Sequence, residues 1–251
     1  MTLKSHAPTP PQVCFIGNGS LFSLTALQTL CTHDIGISQA ILAGHAPAPM
    51  PDQPLPVATP TESPLAALQS LAMQHKIPVT FLGHTQDRQQ QWQTLCASLP
   101  AADFIFVACF PERLPTVTLQ WPRRKAINLH PSLLPKYRGP DPLFWQLRHN
   151  ESQTGISLHE LNDALDAGPI LQQQKIPFPA GATRDELNIL LAKQGALAFT
   201  QLLAADHFVG RAQDAAQASY FPLPTPTDYH IDPQWSAEHR NNFICGNDLT
   251  G

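Results

Sequence analysis

The sequence predicts an α/β fold with an open, mostly parallel sheet, helices on both faces and a short C-terminal extension. Two observations carry this. Short apolar runs alternate with segments of helical period through most of the chain, the signature of strand–helix–strand units. The run Asp103 to Ala108 is apolar without alternation, as suits a strand buried on both faces.

The elements follow in order. Val13 to Ile16 is an apolar run that ends at Gly17-Asn18-Gly19-Ser20. Leu21, Leu24, Leu27 and Leu30 then recur at near-helical spacing, with Ser20 placed as N-cap. Ile35 to Ala43 reads as a strand, Ser63 to His75 as a helix and Val79 to Leu82 as a strand. Gln86 to Ser98 is a polar helix carrying Trp92 and Leu95. Ala126 to Leu129 is a further strand. Thr154 to Leu161 and Ile170 to Phe178 read as two strands joined by a turn-rich segment. A long helix from Thr183 to about Ala205 carries Leu187, Leu190, Leu191, Ala198 and Leu202 on one face. This is a Rossmann-like arrangement. It divides the chain into an N-terminal segment 1–11, a catalytic domain 12–205 and an extension 206–251 anchored by Ile231, Trp235 and Phe243.

A formal charge of −4, with 14% charged residues, supplies no overall basic field for a polynucleotide. The five cysteines are scattered, never spaced as metal ligands or a redox pair, and are expected to be reduced and buried, Cys14 and Cys109 as small hydrophobes. No metal is expected. No stretch approaches the roughly 20 apolar residues that span a bilayer, and the polar, Pro-rich start is no signal peptide. A cytoplasmic protein is the expectation. Residues 44–64 hold seven prolines and no Lys or Arg, which predicts an extended, polyproline-like loop.

The chemistry concentrates after the strand at Ala126. Alternation places Asn128 and His130 on one face with Leu129 turned away, and Pro131 ends the strand. Both polar groups therefore lie at a carboxyl strand end, where open α/β sheets place their sites. A carboxamide donor beside an imidazole suits oxyanion stabilisation and proton transfer. Strand capping explains the pair equally well on spacing alone.

Asn128-Leu129-His130-Pro131-Ser132-Leu133-Leu134-Pro135, followed by Leu165-Asp166-Ala167-Gly168-Pro169-Ile170, resembles the signature of the 10-formyltetrahydrofolate-dependent formyltransferases. That family includes enzymes acting on methionyl-tRNA, on phosphoribosylglycinamide and on amino sugars. The resemblance implies a catalytic set of Asn128, His130 and Asp166. Asn128 and protonated His130 would stabilise the oxyanion, while Asp166 would keep His130 charged and help move the proton. It implies 10-formyltetrahydrofolate as cofactor, its pterin held mainly by backbone groups of two loops. One contains Phe110, Pro111, Glu112, Arg113 and Leu114, the other Asp163, Ala164 and Leu165. Phe110 as ordinary core remains an alternative.

Gly17-Asn18-Gly19-Ser20 resembles a phosphate loop of the glycinamide ribonucleotide branch, although Phe22 replaces the third glycine of a dinucleotide fingerprint. An acceptor phosphate site and a structural tight turn both remain open. The resemblance also puts Ser132 and Arg138 on the acceptor side, with Arg138-Gly139 closer to the tRNA and sugar branches. A tRNA acceptor is not expected: the 44–64 loop lacks Lys and Arg, and the chain stops before the C-terminal barrel typical of that branch. A small-molecule amine is the expected acceptor. Glycinamide ribonucleotide formyl transfer, formyl-folate hydrolysis and a catalytically silent folate-binding protein are the alternatives. The oligomeric state stays open, a homodimer among the options.

Overall fold

The protein was analysed as a computed structural model, which describes residues 10–44, 63–83 and 87–249. The Pro-rich 44–64 segment lies, apart from its ends, outside the described residues, as does most of the N-terminal segment 1–11. Elements run β1 (Val13–Gly17), α1 (Leu21–Thr32), β2 (Ile37–Ala43), α2 (Pro64–Gln74), β3 (Val79–Leu82), α3 (Arg88–Ser98), β4 (Phe104–Ala108) and α4 (Thr116–Leu119). They continue with β5 (Lys125–His130), α5 (Pro142–Arg148), β6 (Gln153–Glu160), β7 (Ile170–Pro177), α6 (Arg184–Ala205) and α7 (Ala237–Cys245).

The strands form one open seven-stranded sheet ordered β3-β2-β1-β4-β5-β6-β7. β1 to β5 pair in parallel, whereas β5–β6 and β6–β7 are antiparallel. Strand order reverses between β1 and β4, so the carboxyl ends of β1, β4 and β5 border the crevice where such sheets bind ligands. The period-2 alternation sorts the core into two layers. Val13, Phe15, Phe104, Phe106, Ile127 and Leu129 face a cluster shared with α1, α2, α5 and α6. Cys14, Ile16, Ile105, Val107 and Ala126 face the opposite cluster with Trp92 of α3. Asn128 and His130 follow Ala126 onto that second face.

α1 begins at its predicted cap, and α6 begins after Thr183, where its expected range starts. Ser20 accepts from the Ser23 amide, and Thr183 with Glu186 closes a capping box. α6 is long and apolar enough, by length and a mean hydropathy of 1.2, to cross a membrane. By length and composition it corrects the expectation that no stretch approaches the span of a bilayer. Its Leu187, Leu191, Ala192, Ala196 and Phe199 are buried in the core, which accounts for that hydropathy in a packed helix. α5 was not foreseen: its seven residues start at Pro142 behind the Asp141 cap, and Leu143 and Phe144 are buried. Cys109 departs from expectation. It is exposed, has φ 61° and lies just past the end of β4 rather than in the core.

The extension is stitched to the loops around the sheet's carboxyl edge. Arg211 exchanges two backbone hydrogen bonds with Ile170. Ser219 to Phe221 then pair with the loop after β5: the Arg138 amide donates to Ser219 O and the Phe221 amide to Arg138 O, both at 2.9 Å. The Phe221 ring stacks on Tyr137 and Trp145, with centroids 5.4 and 5.0 Å away. Of the expected anchors, Phe243 in α7 is fully buried, while Ile231 and Trp235 pack partly buried against the core.

Candidate active site

Asn128 and His130 leave the end of β5 on one face, and Asp166 reaches them from the β6–β7 turn. His130 is 4% and Asp166 6% exposed, so whatever satisfies their polar atoms comes from the protein or from a ligand. His130 Nε2 stands 2.8 Å from the Tyr137 carbonyl. A carbonyl only accepts, so Nε2 carries the proton and Nδ1 is the ring atom free to gain or lose one. That Nδ1 faces Asp166 Oδ1 at 3.7 Å. Asp166 Oδ2 accepts from the Gly139 amide at 2.9 Å, which leaves Oδ1 directed into the cluster.

A fourth member was missed in the sequence. His159 lies opposite Asn128 in the β5–β6 ladder, 1% exposed. Its Nε2 is 3.1 Å from Asn128 Nδ2 and 3.7 Å from Asp166 Oδ1. Burial pulls its pKa well below the ordinary value of 6.5, and the nearby His130 adds to this, against the opposing pull of Asp166. A neutral ring with its proton on Nδ1, toward the Glu160 carbonyl at 3.2 Å, leaves Nε2 to accept from Asn128. The second Asn128 N–H then stays available for a ligand. The only signal for His159 in the sequence was a histidine on the β6 face that antiparallel pairing turns toward Asn128.

The predicted donor loops also meet here. Thr116 Oγ1 donates to Asp163 Oδ1 at 3.1 Å, joining the loop after β4 to the loop before Asp166. Phe110 is half-buried and packs edge-on against Trp92, centroids 5.9 Å apart. Leu114 packs partly buried on the same cluster, and Leu165 is 43% exposed. Arg88 clamps the Glu112 carboxylate from two guanidinium nitrogens, which fixes that side chain beside the loop. Arg113 is exposed, and the Ala164 amide is held by Asn162 Oδ1 at 3.0 Å. Apolar side chains beside partly free backbone form the kind of surface that holds a flat heterocycle.

Three other predicted groups commit polar atoms to the protein itself. Ser132 is fully buried, and its hydroxyl donates to the Lys136 carbonyl at 2.8 Å, bracing the turn rather than facing an acceptor. The Gly17–Ser20 turn is largely self-satisfied: the Asn18 amide donates to Ser23 Oγ and the Ser20 amide to Asn18 Oδ1, each at 3.0 Å. Arg138 is half-buried and turns its guanidinium to Gln213 of the extension. Among the described residues no group of His, Cys, Asp and Glu is arranged to hold a metal ion.

The formyl transferase family model matches residues 51–203. A methionyl-tRNA formyltransferase of Synechococcus sp. (strain JA-3-3Ab) is 34% identical over 177 residues, covering 69% of this chain and 54% of that protein. The chain thus spans about half the length of the curated relatives it matches. The structure of methionyl-tRNA formyltransferase from Clostridium thermocellum superposes with a TM-score of 0.60 at 14% identity, covering 94% of this chain and 82% of that one. An N-formyltransferase from Helicobacter canadensis, solved with folinic acid and dTDP-3-aminofucose, gives 0.62 at 18% identity over 93% and 79%. These likenesses establish the same fold. The expectation that a tRNA acceptor is unlikely is overturned, because the curated relatives are methionyl-tRNA formyltransferases. Net charge is a whole-chain average and does not report a local phosphate-binding patch. The 44–64 loop without Lys or Arg lies mostly outside the described residues. By the extent of the matched model, this chain belongs to the formyl transferase family.

Proposed function

We propose that the chain transfers a formyl group from 10-formyltetrahydrofolate to an amino group of an acceptor. The observation that carries this reading is the convergence of buried His130, His159 and Asp166 on the half-buried Asn128 at the carboxyl ends of β5 and β6, beside two loops joined by Thr116 and Asp163. The donor is a substrate, consumed in each turnover, and supplies a formyl carbon bonded to a nitrogen that can leave. Backbone groups of 110–114 and 163–165, with Phe110, Leu114 and Leu165 as apolar contacts, would hold its heterocycle.

The residues have distinct tasks. Asn128, oriented by His159, aims its free N–H at the formyl oxygen as negative charge develops there. One preorganised donor of this kind is worth about 3 kcal/mol. His130 keeps Nε2–H on the Tyr137 carbonyl, and its protonated Nδ1 adds a second stabilising donor for the formyl oxygen. Asp166 stabilises the imidazolium and, directly or through a water, passes the attacking amine's proton toward the leaving nitrogen. The amine nitrogen first bonds to the formyl carbon, giving a tetrahedral oxyanion; the C–N bond to the folate nitrogen then breaks, and that nitrogen leaves with the proton the amine gave up. Arg138, its guanidinium held by Gln213, borders the acceptor side as a fixed wall, and Gly17, Asn18, Gly19 and Ser20 serve as a structural turn. The five unpaired cysteines suit a reducing cytoplasmic setting.

The test is release of tetrahydrofolate from 10-formyltetrahydrofolate, followed by absorbance. The acceptors are methionyl-tRNA, a nucleotide-linked amino sugar, glycinamide ribonucleotide and a hydroxylamine-bearing amino acid, with a control lacking any amine. Acceptor-dependent release supports transfer. Equal release without an amine makes the protein a hydrolase, and no release under any condition sinks the reading.

A further inference from the structure

The extension places one side chain where it touches both active-site loops at once. Gln213 Oε1 accepts from Arg138 Nε and Nη2 at 3.2 and 2.7 Å. Its Nε2 donates to the carbonyls of Asp166 and Gly168, each at 2.8 Å. The amide orientation is fixed by chemistry, because a guanidinium only donates and a carbonyl only accepts. All four contacts are charge-assisted or directed at main chain, and none is duplicated by another side chain of the extension.

Asp166 needs such support. It sits in the left-handed region at φ 50°, a conformation that costs a non-glycine residue on the order of 1 kcal/mol unless its surroundings impose it. Its side chain is held by the Gly139 amide, and its own carbonyl by Gln213. The Arg211–Ile170 pairing delivers Gln213 to this point. Arg138 is bound in turn to Ser219 and Phe221 through its backbone. The carboxylate that faces both imidazoles is therefore set from behind by a residue outside the β5 and β6–β7 loops.

We propose that Gln213 is a positioning residue for Asp166, setting the carboxylate against His130 and His159. This rests on the formyl-transfer reading for its kinetic consequence but not for its structural one. The informative variant is Gln213→Glu. It keeps side-chain volume and the Arg138 pair but turns two N–H donors into acceptors facing the carbonyls of Asp166 and Gly168. Gln213→Ala loses all four contacts and lets water replace them. If Gln213 positions Asp166, Gln213→Glu is the worse of the two. If it merely anchors Arg138, Gln213→Ala is worse.

The full chain would be compared by histidine-ring ¹⁵N–¹H spectra without ligand, with His130 and His159 assigned through single His→Asn variants. Gln213→Glu should move both signals and leave the remaining histidines in place. Kinetics with 10-formyltetrahydrofolate and the acceptor that wild type uses should show kcat lowered roughly 10- to 100-fold, a KM for the folate within about threefold, and Glu below Ala. Unmoved ring signals, or Ala below Glu, overturn the proposal. If wild type transfers no formyl group, the formyl-transfer reading fails, and the spectra of Gln213→Glu and Gln213→Ala still decide the position of Asp166. Should Gln213→Glu not fold, a Gln213→Ala spectrum identical to wild type at His130 and His159 overturns it equally.

Discussion

The carboxyl ends of β1 and β5 both present small polar side chains to the crevice, yet they are built to opposite specifications. After β1, Ser23 is fully buried and its hydroxyl lies 2.6 Å from the Ala108 carbonyl while accepting from the Asn18 amide. Asn18 and Ser20 complete a ring of bonds near 3 Å. After β5, Asp166 Oδ1 stands 3.7 Å from two imidazoles, outside hydrogen-bond range. A closed network rigidifies a turn. Buried groups left slightly apart retain unused capacity, and that capacity is what a reaction draws on.

The sharpest way to break this contrast is to delete one member on each side. Asn128→Ala and Asp166→Ala should each lower kcat by roughly 100- to 1,000-fold with an unchanged far-ultraviolet circular dichroism spectrum. Asn18→Ala should leave kcat within about threefold and lower Tm instead. Loss confined to the β1 side would reverse the assignment of the two ends. Gly139→Ala tests the link between them and the extension. Gly139 has φ 116°, and a Cβ there would lie 2.0 Å from the Phe221 carbonyl. The loop must shift, taking with it the amide that holds Asp166. A cost of about 3 kcal/mol is expected, a fall in Tm of roughly 6–12 °C at this chain length, with turnover lost in parallel.

The same contrast marks what was legible in the sequence. Strands β1, β3 and β4 and helices α1 and α6 declare themselves by period and cap, because burial of their apolar faces is a local pattern. Asn128, His130 and Asp166 stand in two motifs visible in the sequence. His159 carries no such mark, since its role exists only through the antiparallel register that sets it opposite Asn128. Gln213 was equally silent: its partners lie 45 to 75 positions away, and nothing near it in the chain signals them. α5 escaped because seven residues are too few for a period to show. Ser132 sits in the most telling motif and yet faces inward. A motif marks a neighbourhood, whereas direction is set by the turn.

His159 gives the contrast a pH signature. Burial lowers its folded pKa below the ordinary 6.5, so between those values the unfolded chain binds the proton that the folded chain refuses. Its contribution to stability is therefore present above about pH 6.5 and is lost as pH falls below it. His149, also lowered first by burial, acts in the same sense. Wild type should lose about 1–2 kcal/mol through His159 between about pH 7 and about pH 5. His159→Gln should flatten that part of the Tm-versus-pH curve while weakening turnover through Asn128. An acid limb identical in the variant would show that His159 is not held neutral.

The smallest expected effect lies in the closed network itself. Ser23→Ala removes the hydroxyl that accepts from the Asn18 amide and reaches the Ala108 carbonyl, leaving two backbone groups at the head of the crevice to find water or go unpaired. Unsatisfied buried groups cost about 1–3 kcal/mol, and the half-buried Asn18 can admit water, so a value near 1 kcal/mol is expected by chemical denaturation. The kcat should stay within about twofold, because none of the four groups at β5 and β6 bonds to Ser23. A kcat loss above tenfold with unchanged stability would mean that the turn after β1 touches the reacting atoms, and the two strand ends would then form one site.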